Sequence, residues 1–286
     1  MSVNPLHSVT YQVPATSANL GPGFDALGVA VCLYNQVTVS RVEEPLTNPF
    51  FKEAASLYFK GSQQPSFHFS VEVTGEVPRS RGLGSSVTVR LGILLGLNAL
   101  CGSPCSENDV LEMVIQLEGH PDNAVPAMLG GFCVSNGKSR FRAEVDERLK
   151  FLAIIPDSNL ETSEAREVLP KRIDFSEAIE NVQHACLITA AMATGKYEEL
   201  QGHFVDRLHE PYRLPLIPGA AEAIEAAENA GALGAYLSGA GTTLMAVTLG
   251  KEDEIQKALT DTLTHHGHHP PTCHLLSADN QGALKI

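Results

Sequence analysis

The sequence predicts a mixed protein of α/β or α+β construction, folded as two domains. Three observations carry this: period-two apolar alternation at several points, amphipathic stretches with helix start and stop signals, and a composition shift near Arg148. A chain of 286 residues exceeds the usual span of one hydrophobic core, so residues 1–148 and 149–286 are expected to form N-terminal and C-terminal domains. Val9-Thr10-Tyr11-Gln12-Val13 and Val37-Thr38-Val39 alternate apolar and polar side chains and read as strands, as does His68 to Val73. Val87, Leu91, Leu94 and Leu95 share one face of a helix that begins just after Ser86. Ser106 followed by Asp109 gives a second helix a start like a capping box, and Gly119 gives it a stop. Phe151 to Pro156 reads as a short apolar strand, with helical patterns following at Ser176 to Thr194 and Gly219 to Ala230. Tyr236-Leu237 and Leu244 to Leu249 read as later strands flanking a glycine turn.

Composition narrows the function classes. Hydrophobic residues make up 43% and charged residues 19% of the chain, the balance of a globular protein. No apolar run approaches the ~20 residues that span a bilayer. Met1 to Val9 lacks the basic start and apolar stretch of a secretory signal, so a cytoplasmic location without membrane association is expected. A formal charge of -13 argues against nucleic acid as a partner, while a few local cations still permit a small anionic substrate. None of the six cysteines forms a Cys-x-x-Cys pair; Cys32, Cys133 and Cys186 lie in apolar segments and are expected to be buried, reduced thiols. His265, His266, His268, His269, Cys273 and His274 offer zinc-ligand types, but they flank Pro270 and Pro271 without a zinc spacing and read as a solvated connector.

The segment richest in chemistry is Pro78 to Thr88, PRSRGLGSSVT. Gly82 and Gly84 allow backbone to approach a phosphate closely, and the helix starting beside Ser85 and Ser86 aims free N–H groups and its positive dipole end at that phosphate. A serine there can cap the helix or offer its hydroxyl to magnesium. Alone, the segment is equally compatible with an ordinary serine-capped glycine turn. It lacks the Gly-Lys-Ser/Thr ending of a Walker loop, so a P-loop fold is disfavoured.

Taken with Pro14 to Asp25 (PATSANLGPGFD) and Leu237 to Thr243 (LSGAGTT), that segment resembles, in the correct order, the three motifs of the GHMP kinases. Glu118 to Gly131 (EGHPDNAVPAMLGG), Thr162 to Pro170 (TSEAREVLP) and Leu208 to Arg213 (LHEPYR) are similar to the homoserine kinase branch of that family. The resemblance implies an α+β fold: an N-terminal domain like the second domain of ribosomal protein S5 and a C-terminal ferredoxin-like domain, with ATP and L-homoserine bound between them. It implies ATP and Mg2+ as cofactors, and some relatives suggest a homodimer. Val87 and Thr88 depart from the small residues usual after the paired serines, and Thr242 stands where proline is common; a looser loop and altered activity are the expected consequences.

The resemblance assigns nucleotide binding to Pro78, Arg81, Gly82, Leu83, Gly84, Ser85 and Ser86. The helix around Glu112 is apolar nearly all round, so a carboxylate on it needs a cation or donors, and Glu112 with Ser86 is matched to the metal site. An α-amino acid needs an acidic partner and an arginine able to grip carboxylate, a need that Asp25, Arg166 and Arg213 fit, with Asn19 as a neutral partner. The resemblance places His120 near the substrate carboxylate and Asn123 near the attacking hydroxyl, with Thr162 at the reacting end. Asp25 is matched to ammonium binding and no residue to a general base, since phosphoryl transfer can rest on positioning and charge stabilisation. A kinase for another small hydroxylated acceptor and a non-catalytic sensor of the same fold remain the alternatives.

Overall fold

The computed structural model describes residues 7–286, so most of the N-terminal stretch weighed above for a signal lies outside the described residues. The first half builds β1 (Ser8–Ala18), β2 (Leu27–Arg41), α1 (Pro49–Ser62), β3 (Phe69–Gly75), α2 (Ser85–Leu100), α3 (Glu107–Glu118), α4 (Ala124–Leu129), β4 (Phe132–Ser135) and β5 (Arg140–Ala143). The second half builds β6 (Lys150–Ile155), α5 (Thr162–Glu167), α6 (Phe175–Thr194), α7 (Glu210–Arg213), α8 (Ala220–Ala230), β7 (Gly234–Leu237), β8 (Leu244–Thr248), α9 (Glu252–His265), β9 (Thr272–Leu276) and β10 (Leu284–Lys285).

Two sheets result. The first runs β10-β1-β2-β4-β5, with β3 pairing the second half of β2; the other runs β7-β8-β6-β9 and is antiparallel throughout. With helices α5 to α8 between β6 and β7 and α9 between β8 and β9, this is the ferredoxin-like βαββαβ order with an elaborated first crossover. The sheets change over between β5 and β6. The chain's last strand differs from a simple two-part division, because β10 returns to pair with β1.

Period-two alternation distributes the cores. Along β6, Phe151, Ala153 and Ile155 face a core shared with Val29, Val31 and Leu33 of β2, while Leu152 and Ile154 face α8 and α9. The remaining core lies between the first sheet and α1 to α4. There Gly92 of α2 lets the helix lie directly on β2, since a Cβ at that position would stand 2.5 Å from the Val37 Cβ. Three expectations change. Cys32 and Cys186 are exposed, one on an outward position of β2 and the other on the open face of α6; only Cys133 of the three is buried. The histidine-rich segment is not all connector: His265 ends α9, and Cys273 and His274 lie within β9. Only part of α3 is buried, along Val110, Leu111 and Val114.

Candidate active site

A cleft of about 540 Å3 opens between the two sheets, walled by the loop after β1, the loop into α2, the end of α3, α5 and the loop after β7. Five of its lining residues are arginines: Arg79, Arg81, Arg90, Arg166 and Arg213.

The floor is the glycine loop. Gly82 (φ 78°) and Gly84 (φ 66°) adopt left-handed backbone, and a Cβ at either would lie 2.1 Å from Ser238 O or Thr16 Oγ1 respectively. Only glycine fits. Gly84 is also the N-cap of α2 and caps it with no side chain, so the first N–H groups of a 16-residue helix point into the cleft. The loop after β7 braces this floor from the other domain. Ser238 Oγ donates to Gly82 O at 2.6 Å, the Thr243 N–H to Arg81 O, and the Gly239 N–H to Ala18 O. Thr242 does not loosen the loop: it is buried and its hydroxyl donates to Ser158 O at 2.7 Å. Thr88 likewise sits in a made place, donating to Ser85 O and accepting from Asn35 Nδ2, each at 2.8 Å.

Beside the floor, Ser86 Oγ donates to Glu118 Oε2 at 2.9 Å. Glu118 is the last residue of α3, four residues past Val114 on the buried stripe, and its side chain is 9% exposed. Glu112 lies off that stripe: it is exposed, accepts from Asn108 at 2.9 Å and takes no part in the cleft. The expected pairing of Ser86 with Glu112 is therefore corrected: the carboxylate beside Ser86 in the cleft is that of Glu118. Glu118 Oε1 accepts from Arg90 at 3.0 Å.

The far end of the cleft gathers Asn19, Asp25, His120, Arg166 and Arg213. Arg166 grips Asp25 with two hydrogen bonds, at 2.7 and 3.2 Å. Arg213 is buried, donating to Ala165 O and Gly239 O, and burial lowers its pKa to about 10. The guanidinium groups of both arginines lie over the ring of Phe24, at 5.6 and 5.1 Å. His209 also stacks with Phe24, ring centroids 5.1 Å apart, and its Nε2 lies 3.0 Å from Gly21 O. Asn19 lines the cleft with its amide already engaged, donating to Gly239 O and accepting from the Asp25 N–H. His120 Nδ1 lies 2.8 Å from Asp122 Oδ1; burial pulls its pKa down, but the hydrogen bond and charge of Asp122 outweigh this and raise it. One ligand atom each from Asp25, His120 and Asp122 lies within 4.8 Å of the others, although Arg166 already neutralises Asp25.

Asn123 joins the two ends. Its Oδ1 accepts from Thr16 Oγ1 at 2.7 Å, directly beside Gly84. Thr162 stands at the cleft lip in the first turn of α5. Arg81, Gly82, Gly84, Ser85 and Ser86 line the cleft as expected of the glycine segment, but two members do not. Leu83 is fully buried in the core, and Pro78 lines a separate hollow with His269 and His274.

A glycine cradle against a helix N-terminus, with a serine and a carboxylate at its side, suits by donor chemistry a polyphosphate and a hard divalent cation. Family models agree with that chemistry: GHMP kinases N terminal domain matches residues 49–131 and GHMP kinases C terminal matches residues 187–265. The chain belongs to the GHMP kinase family. This GHMP kinase is 40% identical over 294 residues to the homoserine kinase of Clostridium beijerinckii, covering 97% of this chain and 98% of that one. It is 40% identical over 301 residues to the homoserine kinase of Microchaete diplosiphon, covering 98% and 97%. A crystal structure of homoserine kinase from Cytophaga hutchinsonii superposes with a TM-score of 0.90 at 23% identity, covering 100% of this chain and 99% of that one, and shows the shared fold. Thr16, Arg90 and Glu118 of this GHMP kinase were given no role in the sequence reading, although Thr16 and Glu118 stand inside quoted motifs. Glu118 had a signal in its spacing from Leu111 and Val114, and Thr16 in its place inside the first motif. Arg90 had none.

Proposed function

We propose that this chain transfers the γ-phosphoryl group of ATP to the hydroxyl of L-homoserine, giving ADP and O-phospho-L-homoserine, a step toward threonine, in the cytoplasm. The observation that carries the reading is the pairing, within one cleft, of the Gly82–Ser86 cradle with the Asp25, Arg166 and Arg213 cluster. Full-length likeness to proteins named homoserine kinase points the same way.

In this reading the cradle amides and the α2 N-terminus hold the phosphate chain, and Ser86 and Glu118 present oxygens to magnesium. Magnesium, when bound, screens the charge of the phosphates. Arg213, fixed by two backbone carbonyls, grips the substrate carboxylate together with His120, whose raised pKa favours the donor form. Asp25, unlike Asp122, is not committed to a backbone N–H, and it takes the substrate ammonium by exchanging part of its bond to Arg166. Asn123, held by Thr16 beside Gly84, positions the acceptor hydroxyl in line with the phosphate. No general base is assigned. Asp122, the nearest carboxylate to Asn123, spends Oδ1 on His120 and on the Asn123 N–H.

The test is a coupled ADP-release assay across homoserine, threonine, serine, mevalonate and galactose. Homoserine should exceed the uncharged and non-amino acceptors by on the order of a hundredfold or more in kcat/KM, the scale for leaving buried polar groups unpaired. Equal or better turnover of mevalonate or galactose would overturn the amino-acid assignment. Absence of turnover with every acceptor, alongside intact ATP binding, would favour a sensor.

A further inference from the structure

The metal-side carboxylate is not held by the helix that carries it alone. Arg90, one turn into α2 from Ser86, uses Nη1 to donate to Leu117 O at 2.6 Å and to Glu118 Oε1 at 3.0 Å. Its Nη2 donates to Glu53 Oε2 on α1 at 2.7 Å, and its guanidinium lies 4.6 Å over the ring of Phe50, also on α1. Arg90 is the only cation paired with Glu118 among the described residues. The two side chains are 13% and 9% exposed, so this ion pair is shielded from solvent, where a misplaced partner is costly.

The division of the carboxylate is informative. Arg90 occupies Oε1, which leaves Oε2 facing Ser86 Oγ and the cleft. A glutamate at the last position of a helix has three rotatable side-chain bonds and stands among the carbonyls that have no partner within the helix. Arg90 removes that freedom at both points, by fixing the Leu117 carbonyl and by fixing one carboxylate oxygen. A guanidinium suits the task because its planar fork serves carbonyl, carboxylate and a second carboxylate at once.

From this geometry we infer that Arg90 is the positioning residue for Glu118: it sets the carboxylate that meets magnesium, and it ties that setting to α1 through Glu53 and Phe50, at the lip of the same cleft. The inference rests on the proposed role of Glu118 in metal binding. It makes α1 part of the metal site without any α1 residue touching the metal. The placement of α1 at the cleft lip and the setting of the Glu118 carboxylate are then linked through one side chain.

The decisive measurement is ADP binding by titration calorimetry with and without magnesium, made on wild type, Arg90→Met, Arg90→Lys, Glu53→Gln and Glu118→Gln, each checked by circular dichroism and thermal unfolding. Methionine keeps an unbranched apolar stem at the position without the charge or the guanidinium donors. Arg90→Met should cut the magnesium enhancement of ADP affinity by about tenfold, the scale found when a residue supporting a metal ligand is lost, while magnesium-free ADP affinity stays within about twofold. Arg90→Lys should recover part of that loss, and Glu53→Gln should show a smaller loss of the same kind. An enhancement in Arg90→Met equal to or above wild type, with Glu118→Gln defective, would overturn the inference and leave the Glu118 assignment standing. Should Glu118→Gln also retain the full enhancement, the metal assignment and the inference fall together. Equal losses of ADP affinity with and without magnesium in Arg90→Met would mark a merely structural role and overturn it as well.

Discussion

Removing Glu118, Arg213 or Asn123 should damage three separable functions. Glu118→Ala loses the carboxylate facing Ser86, so turnover should fall by on the order of a thousandfold with secondary structure intact, whereas Glu112→Ala, on the exposed face of α3, should behave as wild type. Arg213→Ala should act mainly on the homoserine KM, by on the order of a hundredfold, because a buried charge partner is deleted. Asn123→Ala should lower kcat more than it raises KM, since the hydroxyl loses its positioning but the zwitterion keeps its anchors. Steady-state kinetics on the four variants separate these outcomes; a near-normal Glu118→Ala enzyme, or a crippled Glu112→Ala one, would reverse the correction made above. The contrast between the two glutamates shows what was legible in the chain. An apolar neighbourhood around Glu112 said only that α3 is buried somewhere, and nearly every residue of that helix has apolar neighbours. Spacing from Leu111 and Val114 was the sharper signal, because positions four and seven residues on share a face.

At the scale of elements, local rules served well where a segment satisfies its own hydrogen bonds. The α3 start at Ser106, with its reciprocal bonds to Asp109, and its end at Gly119 (φ 85°) follow directly from capping chemistry. Short elements defined by distant partners had no such signal: β4 and β5 exist because β2 offers an edge, and α7 because the Asp206 carboxylate collects the His209 and Glu210 N–H groups. That last element holds a testable peculiarity. Glu210 is buried with Oε1 accepting from the Leu237 N–H, and burial followed by the charge of Asp206 raises its pKa well above the ordinary glutamate value of 4.5. The unfolded chain ionises this residue near 4.5, while the folded chain keeps the proton. Stability from this group is thus intact below that pH and declines as pH rises, until the folded carboxyl itself titrates. Glu210→Gln retains the acceptor and abolishes the titration, so its melting temperature relative to wild type should climb as pH rises above about 4.5. A pH-independent difference in thermal melts would show that Glu210 is charged in the fold.

For the whole molecule, the two-domain plan was readable from length, patterning and motif order, but the return of the chain end to β1 was not, because two residues of strand leave no periodicity. This return is tightly made: Asp279 accepts from the Gly282 N–H at 2.6 Å and from the Tyr34 hydroxyl at 3.0 Å, and Asn280 exchanges two hydrogen bonds with Val145. Asp279→Ala should cost roughly 2–3 kcal/mol and lower the calorimetric melting temperature by about 4–8 °C, whereas an unchanged transition would show that the C-terminal turn carries no stability. The gathering of five arginines in one cleft has a consequence for how fast a ligand arrives. A nucleotide far from the surface meets a body of net charge -13 and is repelled, and only within about one Debye length, ~8 Å at physiological salt, does it meet the guanidinium groups. Dissolved salt erases the long-range repulsion before it weakens attraction at contact. The association rate of a fluorescent ADP analogue, followed by stopped flow, should therefore rise as ionic strength climbs from about 10 mM to about 100 mM and turn down beyond it. A rate that only falls would mean that the arginines govern the approach from every distance, and that the acidic exterior is invisible to the incoming anion.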